Sequence, residues 1–509
     1  MAARLCVKIK PEDNVAIAIR DLEPGTEVLD GVVTVEKVPQ AHKIALTDIP
    51  KGADVVRYGV VLGHTLEDIA KGRWINEHMI DLPVAPPLDQ MEYGTNIVPM
   101  EDLPDPTVTT WDGFRNPNGG FGGTRNILAI QTTVQCVEGV VNVALQRIKQ
   151  QLLPKYPHVN DVVAINHAYG CGAAINAREA YIPQRILRNL VHHPNFGGQV
   201  MCVGLGCEKF TTDMLLDPED NTPENVVILQ KEKGFEAMIS AIMETAEKKL
   251  QILDQRRREP LPLSDLFVAF ECGGSDAFSG VSANPSAGYA SDMIVKGGGT
   301  TCFSEVTEVR EAVYLIAQRC VSAEVRDKLA HEMSWYDHYL SEGGADVSAN
   351  PSPGNKAGGL SNIVEKSMGS IAKSGTAPIV DVLSPGETPD RSKPGLIYAA
   401  TPASDIVCSP CQLASGCGVL VFMTGRGTPY GLAATPVMKV CSRNEMKEQW
   451  PDIIDVNAGP VAVGEATIDE IGHEIFDKII AIASGKDKPF TERYGLYNQI
   501  AIFNPAPIT

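Results

Sequence analysis

Three cysteines stand in glycine-rich turns directly after apolar runs: Cys171 in NHAYGCG, Cys207 in VGLGCEK and Cys272 in FECGGSDAFSG. Thiols at strand ends, beside small residues that let a ligand approach the backbone, suit a metal-centred active site holding iron or zinc. His167 precedes Cys171 by four residues and adds an imidazole to the set. No CxxC pair brackets these residues, which argues against a closed structural zinc site.

Further groups could hold an acidic substrate. The CGGSD turn at 272–276 offers successive backbone N–H groups to a carboxylate, with Ser275 and Asp276 as a polar pair. Asp276 would equally serve as an ordinary helix cap. Asn355 and Lys356 lie in the Pro/Gly loop ANPSPGNKAGG, Arg426 is flanked by glycines in TGRGTPYG, and Arg125 ends GFGGTR. A guanidinium so placed meets a carboxylate through two hydrogen bonds. His42 and His167 are candidates for proton transfer near neutral pH, with Lys43 as an alternative. No GxSxG, Walker loop, HExxH or GxGxxG strand-to-helix fingerprint occurs.

Several elements must position these residues. Residues 1–82 alternate short β-rich runs with Gly, Pro and Asp turns, which predicts a small all-β module. Residues 83–110 are proline-rich and lack a helical period, so they read as an extended linker. From 111 to 258 strands alternate with helical patterns, ending in the long helix GFEAMISAIMETAEKKLQILDQRRRE; residues 259–509 continue in the same way. The fold class is therefore α/β with parallel β/α units, whose sites lie at the carboxyl ends of strands.

Composition narrows the function. The 509 residues are 44% hydrophobic and 21% charged, with a net charge of −19. No Lys/Arg block exists to neutralise phosphates, which argues against nucleic acid as a partner, and an anionic substrate would need local cations. No apolar run of roughly 18 residues is present to span a membrane, and the N-terminus lacks a secretory pattern, so a cytoplasmic location is expected. Twelve cysteines are too sparse for a disulfide scaffold. Cys6, Cys202, Cys302, Cys320 and Cys441 read as packing residues.

The segments QAHKIALTDI, GFGGTRNILAI, NHAYGCGAAIN, GLGCEK, ECGGSDAFSGVSANP, FSEVTEVREA, NPSPGNKAGGLSNIVEKSMGSIAKSG, MTGRGTPYG and FNPAPIT carry a resemblance over essentially the full length. The chain resembles the galactarate and altronate dehydratase family of sugar-acid dehydratases. The resemblance implies an N-terminal β-clip module of the SAF type, iron dependence, and loss of water from galactarate to give 5-dehydro-4-deoxy-D-glucarate. Cys136, His167, Cys171, Cys207, Glu208, Cys272, Ser275, Asp276, Asn355, Lys356 and Arg426 fall inside matching motifs, as do His42 and Lys43. Ala41 stands where the family pattern has glycine, and Cys411 and Cys417 look peculiar to this chain. Alternatives are an altronate or glucarate dehydratase, an iron–sulfur dehydratase with Cys171, Cys207 and Cys272 on a cluster, and a noncatalytic sugar-acid binding protein. A homo-oligomer, in the simplest case a dimer, is expected.

Overall fold

The computed structural model describes residues 4–508 except 30, 118, 347 and 348. In the N-terminal module the strands Cys6–Val7, Val15–Ala18, Lys43–Ala45 and Trp74–Ile75 pair antiparallel in that order. Two hairpins, Glu27–Leu29 with Val32–Val33 and Asp54–Arg57 with Val60–His64, complete it. Ile44 and Ala45 are neighbours on one strand, so their side chains point to opposite faces and enter two separate small cores. Cores of this size give little stability alone.

The proline-rich stretch that follows is extended, with a single 3-10 turn at Met100–Asp102. It is strapped to the body rather than loose. Met91 and Leu103 are buried in the largest apolar core, and the carbonyls of Pro86 and Met91 accept from Arg310 and Arg326. Backbone groups without a sheet partner are satisfied here by side chains.

The middle sheet is four-stranded and wholly parallel, in the order Asp161–Ile165, Ile127–Thr132, Cys202–Gly204, Val226–Ile228. Helices Glu138–Gln151 and Phe235–Leu253 share one core with this sheet, while Tyr181–Val191 packs into another that extends into the C-terminal half. An antiparallel pair, Thr110–Gly113 with Glu259–Pro262, joins the two halves.

The C-terminal sheet has seven parallel strands in the order Ile379–Leu383, Leu396–Ala399, Thr300–Ser304, Phe267–Cys272, Val419–Thr424, Val437–Cys441, Val456–Asn457. Its first strand in sequence, Phe267–Cys272, lies at the centre. The next strand is added on one side and Val419–Thr424 on the other, so the winding reverses between Phe267–Cys272 and Val419–Thr424. Such a reversal opens a crevice at the carboxyl ends of the two strands. Cys272 and Arg426 belong to those ends. No helix among the described residues is long and apolar enough to cross a membrane.

Candidate active site

Cys272 ends its strand inside a sealed polar cluster. Glu305, one residue beyond the Thr300–Ser304 strand, and Glu308 place carboxylate oxygens 3.7 Å from its sulfur, and the three ligand atoms lie within 4.8 Å of one another. Lys373 Nζ is 3.2 Å from the same sulfur, donates to Ser370 Oγ at 2.7 Å and is in direct contact with Glu305. Lys366 pairs with Glu308 at 2.6 Å. All five residues are buried.

Burial pushes the Cys272 thiol up to about 12 and keeps it protonated. Burial alone would also strip Lys373 of its proton, but the acidic groups around it overcome this and raise its hold on the proton. With the thiol neutral, the two carboxylates hold the ammonium. Glu305 is buried with Oε1 lacking any hydrogen-bond partner, and its backbone is left-handed at φ 83°. A non-glycine residue in that region stores of order 1–3 kcal/mol, which the packing around it must offset.

A looser rim surrounds this cluster. Ser275 Oγ is buried and unpartnered, and the Ser275 carbonyl accepts from Asn355 Nδ2 at 2.8 Å. Asn355 also closes the capping box of the short helix Pro353–Ala357, its Oδ1 accepting from the N-cap Ser352 N at 3.0 Å, and this helix carries half-buried Lys356. Arg426 is exposed, and its backbone N–H donates to the Gly274 carbonyl at 2.8 Å. Neither Lys356 nor Arg426 has a carboxylate partner among the described residues. Asp405 packs against Gly273, where an added Cβ would lie 2.4 Å from its carboxylate. Burial, then the nearby Glu308 charge, pushes the Asp405 carboxyl up to about 6, close to where a group exchanges protons at neutral pH.

Other residues read as site groups are committed elsewhere. Asp276 accepts from Phe278 N, Ser279 N and Ser442 Oγ at 2.9–3.0 Å, so it organises the turn instead of facing a substrate. Arg125 is buried 2.6 Å from Glu492 and donates to the carbonyls of Thr124 and Ile482; it clamps the C-terminal segment and has no role as a free substrate cation. Lys43 is buried on Glu365 and the Gly359 carbonyl, both at 2.8 Å. His42 Nδ1 accepts from Trp74 Nε1 at 3.0 Å, and the ring also hydrogen-bonds the Ala357 backbone; burial, then Lys43, lowers its proton affinity. Lys43 and His42 thus dock the β-module onto the Lys356 loop. Ala41 takes φ 70° there, and its carbonyl is so close to Gly359 that a Cβ on Gly359 would come within 2.0 Å.

The expectation that Cys171, Cys207 and Cys272 form one ligand set does not hold. Cys171 and Cys207 are exposed at the carboxyl edge of the middle sheet, whereas Cys272 is buried in the C-terminal one. His167 belongs to the middle edge, donating through Nε2 to the Thr132 carbonyl at 2.7 Å. Burial lowers His167 and, in the interior, His193 to about 4 from 6.5. Between those values the unfolded chain binds more protons than the folded one, so stability is full above pH 6.5 and falls as pH drops towards 4. Each histidine contributes a loss of about 1.4 kcal/mol per pH unit in that window. Denaturant titrations at pH 7 and 5 should show the drop.

Sequence reading missed Glu305, Glu308, Lys366, Lys373 and Asp405. One signal was available: Glu365, Lys366 and Lys373 interrupt a stretch of small and apolar residues too uniform for a solvated helix, and helix Ile363–Ile371 is indeed buried almost all round.

Comparison with known proteins agrees with this architecture. Residues 4–83 match the altronate/galactarate dehydratase SAF domain, 113–254 the D-galactarate dehydratase/altronate hydrolase second domain, and 263–508 the D-galactarate/altronate dehydratase C-terminal domain. Galactarate dehydratase (L-threo-forming) of Escherichia coli strain K12 is 52% identical, covering 99% of this chain and 97% of that protein. Altronate dehydratases of E. coli K12 and Bacillus subtilis strain 168 are 35% and 34% identical, covering 98% and 94% of the chain and 98% and 95% of their own lengths. With all three parts matched in order and relatives aligned end to end, the chain belongs to the D-galactarate/altronate dehydratase family and is a hydro-lyase.

Proposed function

We propose that the chain removes water from galactarate, giving 5-dehydro-4-deoxy-D-glucarate, with ferrous iron at Cys272, Glu305 and Glu308. The observation that carries this reading is the buried thiol–dicarboxylate cluster at the sheet's winding reversal, rimmed by two cations with no carboxylate partner among the described residues. The donor set suits iron, since one soft sulfur and two carboxylate oxygens match a borderline divalent ion, and the orphaned Glu305 Oε1 is a free ligand atom. Lys373 would have to swing aside from Glu305, and the Cys272 thiol would give up its proton on binding the ion. When bound, the ion supplies Lewis-acid stabilisation of charge on the substrate's oxygens.

The remaining chemistry falls to side chains. Arg426 and Lys356 bind the two carboxylates and offset the chain's negative field. Once Glu305 and Glu308 turn to a cation they no longer hold the Lys373 ammonium, and burial, which works against its charge, then favours the neutral amine that takes the proton from the carbon next to one carboxylate. Asp405 gives a proton to the departing β-hydroxyl, which leaves as water, and the resulting enol takes up a proton on carbon and loses its hydroxyl proton to become the ketone. Support for galactarate over altronate comes from the 52% against 35% identities.

Anaerobic assay of the purified protein with galactarate, glucarate and altronate, with and without ferrous iron, tests this. Iron-dependent turnover with galactarate strongly preferred is expected. Equal turnover without iron after chelation, or preference for altronate, would overturn the corresponding part.

A further inference from the structure

Of twelve cysteines, nine are buried, and the three exposed ones follow neighbouring strands of the middle sheet. Cys136, Cys171 and Cys207 follow the strands Ile127–Thr132, Asp161–Ile165 and Cys202–Gly204, which are direct neighbours in the parallel middle sheet with Ile127–Thr132 at the centre. All three thiols therefore emerge at one carboxyl edge. Exposed free thiols are a liability that surfaces ordinarily avoid, so three on one sheet edge call for a ligand.

The loops that carry them are fastened together. Phe210 N donates to the Gly170 carbonyl at 3.3 Å, joining the Cys171 and Cys207 loops. Glu208 accepts from Gly206 N at 2.6 Å, from Leu205 N at 3.0 Å and from Thr133 Oγ1, joining the Cys207 loop to the one that leads to Cys136. Gly170 and Gly206, each just before a cysteine, have φ of 119° and 118°. A Cβ at Gly170 would stand 2.2 Å from the Thr133 carbonyl, so only glycine lets these loops close up. Beside them lies a 760 Å³ cavity lined by His167, Gly172 and Ile406, the last being next to Asp405. His167 is 4% exposed, and with its Nε2–H given to the Thr132 carbonyl its Nδ1 carries a lone pair at the same edge.

We propose that Cys136, Cys171 and Cys207 hold an iron–sulfur cluster. A single tetrahedral ion, with metal–sulfur bonds of about 2.3 Å, needs its sulfurs under about 4 Å apart. These three are not gathered within 4.8 Å of one another, and the wider span of a cubane accommodates thiolates from three separate loops. Binding removes one proton from each thiol and forms three iron–sulfur bonds to the protein. Three protein ligands on a four-iron cluster leave one iron for a non-protein oxygen or nitrogen ligand from the cavity side.

The site is independent of the Cys272 cluster, and sulfide tells the two apart. The full chain is purified anaerobically, reconstituted with ferrous iron and inorganic sulfide, desalted, and assayed for iron, acid-labile sulfide and visible thiolate-to-iron absorption. Roughly four sulfides per chain are expected. Cys136→Ser, Cys171→Ser and Cys207→Ser should each lose most of the sulfide and the absorption with unchanged thermal stability of the apo chain, while Cys272→Ser keeps both. Iron without sulfide, sulfide retained in the triple variant, or sulfide lost only in Cys272→Ser would overturn the proposal, the first leaving the iron reading of the Cys272 site intact.

Discussion

Lys373→Met and Lys373→Arg should each lose about 10³ in kcat on galactarate, because in the proposed reaction the amine freed when Glu305 turns to a cation is replaced by a group that cannot accept a proton. The two variants separate chemistry from folding. Methionine leaves Glu305 buried without its counter-charge, an arrangement that costs about 3–5 kcal/mol. Arginine keeps a cation beside Glu305, Ser370 and Cys272, the groups Lys373 contacts. The arginine variant should accordingly melt close to the parent while remaining inactive. A second readout isolates the proton step: the parent should exchange the substrate hydrogen next to the carboxylate with solvent deuterium, and neither variant should. A folded Lys373→Arg protein with near-parental kcat would remove Lys373 from the chemistry and leave it a purely electrostatic partner of Glu305.

How legible this site is in the sequence depends on how each residue is held. Cys272 is legible because an apolar run that stops at Cys-Gly-Gly marks a strand end, and a strand end in a parallel sheet is where ligands bind. Lys356 and Arg426 are legible for a similar reason: Pro and Gly around a lone cation describe a turn that presents it. Arg125 shows the limit of that logic. Its glycine-rich setting is the same, but its partner Glu492 lies 367 residues away, and no local pattern reveals such a pairing. Lys43 fails in the same way, since Glu365 is 322 residues distant. The three-thiol ligand set mixed residues from two sheets because strand-end motifs look alike whichever sheet they end. The all-β module and the β/α body, by contrast, follow from periodicities of two and of about three and a half, which need no knowledge of distant partners.

Glu365→Leu should cost about 3–5 kcal/mol and release the N-terminal module. Glu365 is fully buried and accepts from Lys43 Nζ and Ser361 N at 2.8 Å and from Arg57 Nη1. Burial works against its charge, yet Lys43 and Arg57 prevail and hold its carboxyl below the usual range. Leucine in its place strands two buried cations of the β-module against the body. The module's own cores are too small to offset this, so its contact with the body should open while the seven-stranded sheet stays folded. Two unfolding transitions in place of one, and rapid proteolysis between residues 83 and 109, are the expected signs. His42 would lose its hold on the Ala357 backbone, next to Lys356, so KM for galactarate should rise more than kcat falls. Lys43→Met, Arg57→Met and Glu365→Leu combined should restore a single transition, because a well-packed apolar triad avoids the desolvation of three charges. Should Glu365→Leu alone unfold in one step at the parental Tm, the ion network would not be what fastens the module, and the Gly359–Ala41 backbone packing would have to suffice.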